Sequence, residues 1–380
     1  MSFAEICQHA QNAELEATFA ATDEDHIRRI LAKQTITAED YLALLSPAAS
    51  GLLEDMARKA QSITQRHFGR TVQIFTPLYL SNFCANHCVY CGFNAKTGIH
   101  RRRLTLDEVR AEGEAIAATG QRQLLILTGE SPAKAGVDYL EDCTRILRDI
   151  FPSVAIEVYA LTDDEYARLA AAGVDGLTMF QETYDQTLYE RLHPAGPKRD
   201  FSFRLDAPER GCRAGLRVVN IGALLGLAAD WRREAYTTGL HAHYLQRRYP
   251  GTDIAISLPR MRPHAGAYQP ASKVGDAELV QIMLAQRIFL PSVGITVSTR
   301  ETPEFRDNIL PLGVTKMSAG VSTAVGGHAE NDDAKETGQF EISDDRSLDE
   351  FTAMLRARGY QPVFKDWEPI AAPSQRRWSA

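Results

Sequence analysis

Three cysteines within eight residues, Cys84-Ala85-Asn86-His87-Cys88-Val89-Tyr90-Cys91, constrain this chain more than any other stretch. They follow an apolar, strand-like run over 72–80, so the thiols stand where a strand gives way to a loop. Soft thiolates spaced this closely can wrap one iron–sulfur core, holding three irons and leaving the fourth open to a ligand from outside the chain. A structural zinc site competes with that interpretation, but it normally wants four protein ligands in a closed tetrahedral set. The spacing supplies three, with His87 and His100 the nearest further donors; Cys143 falls in a predicted helix and Cys212 in a basic connection.

Around this loop, short apolar runs alternate with longer amphipathic ones. Strands are predicted over 72–80, 123–128, 155–160, 176–181, 218–222, 253–259, 294–299 and 314–318, and helices over 106–118, 137–150, 163–172, 184–192, 232–248, 277–290 and 303–310. Eight such units with strands apolar on both faces predict a closed (β/α)8 TIM-type barrel; an open doubly wound sheet is the alternative. No GxGxxG joins a first strand to its helix and no Walker A sequence occurs, which argues against a dinucleotide or P-loop fold. Residues 1–70 read as a helical prefix, with a cap at Thr37-Ala38-Glu39-Asp40 and a break at Ser46-Pro47. The barrel is expected over 71–320. Residues 321–380 are expected to be an irregular segment and a helix near 348–357 packed on it. The connection 194–215 is polar and basic and reads as a long solvated loop, except that Arg204 in Phe201-Ser202-Phe203-Arg204-Leu205 is placed to reach inward.

The CxxxCxxC spacing, with an aromatic before the last cysteine, resembles the signature of the radical S-adenosylmethionine (SAM) superfamily. From Leu42, through Leu44-Leu45-Ser46-Pro47-Ala48-Ala49-Ser50, to Lys365-Asp366-Trp367, the chain more closely resembles the 2-iminoacetate synthases, the tyrosine lyases that supply the thiazole ring of thiamin. The resemblance implies a 4Fe–4S cluster on Cys84, Cys88 and Cys91, with SAM on the open iron. Tyr90 and Phe93 would pack near the cluster or adenine, or simply anchor the loop. Leu127-Thr128-Gly129-Glu130 looks like the superfamily's GGE motif with Thr128 in place of the first glycine; Glu130 or adjacent carbonyls would accept from the SAM ammonium. Glu157 and Glu182, at strand ends, would hold ribose hydroxyls or the substrate amine, or form rim salt bridges. Arg204 would clamp the SAM carboxylate.

On the substrate side, Ser257-Leu258-Pro259-Arg260-Met261-Arg262-Pro263 and Ser298-Thr299-Arg300-Glu301 end two predicted strands. Arginine's planar fork suits an amino-acid carboxylate. By resemblance Arg300 would grip it, against the competing idea of a buried pair with Glu301; Arg262 would assist or order the loops. Ser318 and Ser322 would fix the amine or carboxylate or cap a following helix, and Tyr79 would line the same pocket. The chemistry implied is hydrogen abstraction from the amino group of L-tyrosine by a 5′-deoxyadenosyl radical, then Cα–Cβ fission to 2-iminoacetate and, after reduction and protonation, p-cresol.

The related hydrogenase-maturation lyases hold a second cluster on carboxyl-terminal cysteines, whereas no cysteine follows Cys212 here. A tryptophan lyase and a non-enzymatic iron–sulfur electron-transfer or scaffold protein remain as alternatives. The family implies a reduced flavodoxin or ferredoxin as electron donor and a thiazole synthase as partner. A formal charge of −7 gives no reason to expect nucleic acid or an anionic membrane as a partner. The acidic first thirty residues are not expected to be a secretory signal, no run of eighteen apolar residues suggests a membrane span, and six cysteines over this length, three of them in one cluster, do not make a disulfide framework. The expected compartment is a reducing cytoplasm.

Overall fold

The computed structural model describes residues 1–264, 267–329 and 338–367. Eight parallel strands close on themselves: β1 (Thr71–Ser81), β2 (Gln123–Thr128), β3 (Ser153–Glu157), β4 (Gly176–Glu182), β5 (Val218–Ala223), β6 (Asp253–Ile256), β7 (Gly294–Val297) and β8 (Lys316–Ser318). Closure is made by β1, which pairs with β2 along Thr76 to Ser81 and with β8 through Gln73, Ile74 and Phe75. The expected barrel is therefore the observed one, and this pairing excludes the open sheet. A ninth short strand, β9 (Gln361–Val363), pairs in parallel with Thr71, Val72 and Gln73. Below it Asp366 accepts from Gln73 Nε2 at 2.8 Å and from Arg217 at 3.3 Å, so the motif at 365–367 seals the end of the barrel away from the cysteines.

Strand periodicity decides what faces the interior, because alternate side chains point inward. Phe75, Pro77 and Tyr79 of β1, Leu125 and Leu127 of β2, Thr178 and Phe180 of β4 and Thr296 of β7 share one cavity wall. Small or polar groups recur among these positions, and the upper barrel holds a cavity in place of packed layers. Gly222 falls between Asn220 and Leu224 on this face, and its missing side chain lets the Ser257 carbonyl approach: a Cβ there would lie 1.7 Å from that oxygen.

The connection 194–215 departs from the expected solvated loop. It folds into a 3-10 turn (Pro197–Arg199) and helices Phe201–Leu205 and Ala207–Arg213. Asp200 caps the first helix, accepting from Phe203 N–H. Arg210 is buried, donating to the carbonyls of Leu161 at 2.7 Å and Phe203 at 2.6 Å. Backbone carbonyls thus absorb part of the basic charge that composition alone assigns to solvent.

The amino-terminal helices add a layer outside the barrel helices. Tyr41 stacks on Phe289 at 4.6 Å and donates to the Ala235 carbonyl at 2.8 Å; Phe3 stacks on His241 at 3.7 Å. Gln281 Nε2 donates to the carbonyls of Leu44 at 3.0 Å and Ser46 at 2.9 Å. Helix Asp276–Phe289 is consequently buried along both faces. Among the described residues no helix is long and apolar enough to cross a membrane.

Because Gly222→Ala drives a methyl into backbone, it should cost at least about 3 kcal/mol and lower the thermal midpoint by several degrees. Gly251→Ala, with nothing within 4 Å of the new Cβ, should leave the midpoint unchanged in the same calorimetric scan.

Candidate active site

After Ser81 the chain leaves β1 and enters the cysteine loop, which has no regular ladder and takes its shape from neighbours. Ala85 N–H donates to Glu130 O at 2.8 Å, His87 N–H to Ala195 O at 3.0 Å and Val89 N–H to Leu192 O at 3.1 Å. The Asn86 side chain donates to Glu130 Oε2 at 2.6 Å and accepts from Lys198 N–H at 2.9 Å. Arg101 gathers the loop's two ends, donating to the carbonyls of Asn82 at 2.6 Å, Phe93 at 2.9 Å, Asn94 at 2.5 Å and Thr97 at 3.3 Å. Gly129 lets the loop backbone pass: a Cβ there would lie 2.4 Å from Phe83 O and 3.1 Å from Cys84 Cβ.

Cys84, Cys88 and Cys91 line one cavity of about 110 Å³, with Thr128, Gly129 and Glu130 on its β2 side. Burial pushes the Cys88 thiol up to about 12 and raises Cys91, so metal binding must displace their protons. Among the described residues no three Cys, His, Asp or Glu side chains gather closely enough for a single metal ion. The thiols instead surround a space, and Thr128 Oγ1 beside them is buried without a partner among the described residues. That donor set, with an unpaired hydroxyl and a glycine at the edge, fits a multi-iron core with a polar cofactor next to it.

Glu182 closes β4 at a register shift and has φ 73°, the left-handed region that costs a non-glycine residue energy. Lys198 Nζ donates to its Oε1 at 2.7 Å, and Arg204 lies 3.5 Å away, itself donating from Nε to Phe180 O at 2.7 Å. Burial opposes the Glu182 charge, but Lys198 and Arg204 hold the carboxyl below its usual range. Tyr90 donates to His193 Nε2 at 2.7 Å; His193 Nδ1 lies 2.8 Å from the Tyr189 carbonyl, which fixes the proton on Nδ1. Phe93 lines the thiol cavity and meets the Tyr79 ring edge-on at 5.9 Å.

A second cavity of about 160 Å³ fills the upper barrel and shares Tyr79, Cys91, Glu157, Glu182 and Lys198 with the first. Arg300 faces it, with its guanidinium 3.5 Å over the Phe340 ring and no carboxylate partner among the described residues. The expected alternative, a pair with Glu301, is corrected: Glu301 is held by Arg260 Nε at 3.0 and 3.1 Å. The Glu157 carboxyl makes no hydrogen bond or ion pair with a described residue, and burial pushes it up to about 7 against the pull of Arg300. Tyr79 donates to Gln339 Oε1 at 2.8 Å, and Ser318 Oγ accepts from Thr299 N–H at 3.1 Å. Arg262 lines this cavity and donates to Ser343 Oγ. Ser322 does not line it; its hydroxyl accepts from Ala324 N–H at 3.3 Å.

Lys198, Arg101, Gln339 and Phe340 were not singled out as site residues in the sequence. Lys198 lies inside the run read as solvated, yet its side chain is only 13% exposed. Gln339 and Phe340 lie in a carboxyl-terminal segment that carries no motif.

Residues 78–237 match the radical SAM superfamily model, and residues 257–361 match the biotin and thiamin synthesis associated domain. The solved structure of the FeFe-hydrogenase maturase HydG from Carboxydothermus hydrogenoformans superposes with a TM-score of 0.87 at 29% identity, covering 96% of this chain and 85% of that one. The 2-iminoacetate synthase of Salmonella typhimurium is 40% identical over 92% of this chain and 93% of its own length. That of Escherichia coli K12 is 42% identical over the same shares of the two chains. Identity of this order, sustained over more than nine-tenths of each sequence and joined to a barrel with a three-thiol cavity, makes this chain a member of the 2-iminoacetate synthase family of radical SAM enzymes.

Proposed function

We propose that the chain cleaves L-tyrosine between Cα and Cβ, giving 2-iminoacetate and p-cresol for thiazole assembly in thiamin synthesis. The observation that carries this reading is Arg300, an arginine without a carboxylate partner among the described residues, aimed into a cavity that adjoins the three thiols. A 4Fe–4S cluster on Cys84, Cys88 and Cys91, with SAM bound beside it, would supply the radical that abstracts hydrogen.

The chain's own residues bind and orient. The Arg300 fork takes the substrate carboxylate, with Arg262 ordering the Ser343 side of the mouth. Glu157, on the shared wall, takes the substrate amine and brings it toward the thiol cavity, while Ser318 and Tyr79 line the approach. Thr128, Gly129, Glu130, Glu182 and Arg204 serve the SAM side. Anchoring at both ends matters because a displacement of about 1 Å can cost about 100-fold in rate. A low-potential flavodoxin or ferredoxin is the fitting electron donor and a thiazole synthase the fitting recipient of the imine.

Anaerobic incubation with reductant, SAM and tyrosine should yield p-cresol together with glyoxylate from imine hydrolysis; 5′-deoxyadenosine with neither product would overturn the assignment. Arg300→Ala should raise KM for tyrosine about 10- to 100-fold, the equivalent of about 1.5–3 kcal/mol for a lost charged hydrogen bond, while iron and sulfide content stay at the wild-type level.

A pH dependence follows from Glu157. Its carboxyl is neutral below about 7 and charged above, so tyrosine binding should tighten as pH rises through that value. Calorimetric titration of the SAM-loaded protein checks this, and Glu157→Gln should flatten the step.

A further inference from the structure

Fixed cations stand close around the cysteine loop. Glu182 offers one carboxylate to two cations, Lys198 at 2.7 Å and Arg204 at 3.5 Å. Arg101 satisfies its guanidinium on four loop carbonyls and has no carboxylate partner among the described residues. The field of Arg101 reaches Cys84 and Cys91, and that of Lys198 reaches Cys88 and Cys91.

Lys198 is fixed with respect to the thiols by both ends of the residue. Its backbone N–H is held by Asn86, inside the cysteine loop, at 2.9 Å, and its ammonium by Glu182, over the Tyr90 ring at 5.7 Å. Burial and Arg204 oppose its charge, but the Glu182 carboxylate at 2.7 Å holds the ammonium above its ordinary range.

A core on three thiolates becomes more negative by one charge when it accepts an electron. A fixed cation nearby favours that reduced form, and a poorly solvated wall strengthens the effect. We propose that Lys198, supported by Arg101, raises the reduction potential of the cluster held by Cys84, Cys88 and Cys91, and that Glu182 moderates Lys198 by partly cancelling its charge. The step is a one-electron transfer from a low-potential donor to the cluster, with no bond made or broken. Lys198 acts through the cluster and is a positioning and tuning residue, not a catalytic one. The inference rests on the radical SAM reading given above.

The test uses wild type, Lys198→Met, Lys198→Arg and Glu182→Gln, each reconstituted anaerobically, assayed for iron and sulfide, and titrated by EPR-monitored potentiometry without SAM or tyrosine. Lys198→Met should lower the reduced-to-oxidised ratio at a given applied potential about tenfold, a shift of about 59 mV for one electron. Lys198→Arg should match wild type, and Glu182→Gln should move the potential upward. Loop distortion alone has no reason to reverse sign between the two charge-removing variants. Full cluster content with an unmoved potential in Lys198→Met, or a downward shift in Glu182→Gln, overturns the proposal. If Lys198→Met holds no cluster, the direction of Glu182→Gln decides. Wild type lacking iron and sulfide would instead sink the radical SAM reading itself.

Discussion

Asn86 is the joint on which the site depends. Its side-chain amide donates to Glu130, from the end of β2, and its side-chain oxygen accepts from Lys198, in the connection between β4 and β5. Its own carbonyl accepts from Ala95 N–H at 2.8 Å, folding the loop back past the third cysteine. The residue is almost fully buried, so each of these polar groups needs its partner. Gly196 is the complement: at φ 96° it has no Cβ, and one placed there would lie 2.3 Å from Asn86 Oδ1. A loop without secondary structure thereby acquires a fixed position, and three thiols on it can hold a rigid inorganic core.

The barrel gives up packing to make room above that loop. In barrels of this size the interior is ordinarily filled by layers of branched side chains. Here the upper layer contains Glu157, Thr178, Asn220, Thr296 and Arg300, groups that cost free energy to bury and are left facing a cavity. Opposite charges on Glu157 and Arg300 make no direct ion pair with each other, which keeps both available to the two ends of an amino acid. The mouth is narrowed by the carboxyl-terminal segment: Glu341 N–H donates to Pro263 O at 3.1 Å and Ser343 N–H to Thr299 O at 2.9 Å. Asp344, anchored by Arg306 and Arg346, pins that segment down. Gln339 and Phe340 reach the cavity from this strap, bringing residues far along the chain to Tyr79 and Arg300.

The barrel was legible because its strands are short apolar runs alternating with longer amphipathic segments, such as the helices Leu106–Ala118 and Asp163–Ala172. Strand ends were harder. The run at 253–259 keeps an extended, apolar character beyond Ile256, where β6 stops and Ser257 becomes part of the cavity wall. The thiols and the strand-end acids were legible from type and position together. Lys198 was not, because a basic residue in a polar run looks solvated until the fold supplies Glu182 as its counter-charge. Arg101 hides for a related reason: its partners are backbone carbonyls, which leave no trace in side-chain patterns. The alternative of an Arg300–Glu301 pair rested on adjacency alone: both residues lie in the turn after β7, and Arg260 from the loop after β6 claims the Glu301 carboxylate.

The outer layer has a consequence for how the molecule is made. Leu44 and Ser46 receive their hydrogen bonds from Gln281, 237 and 235 positions later, and Phe3 and Tyr41 rest on helices equally remote. Leaving the ribosome well before those helices, these segments have apolar stripes whose partners do not yet exist, and the stripes stay wet until at least 235 further residues have been translated. Segments made before their partners are thus among the last to settle, and during synthesis their uncovered apolar faces are the surfaces most exposed to sticking.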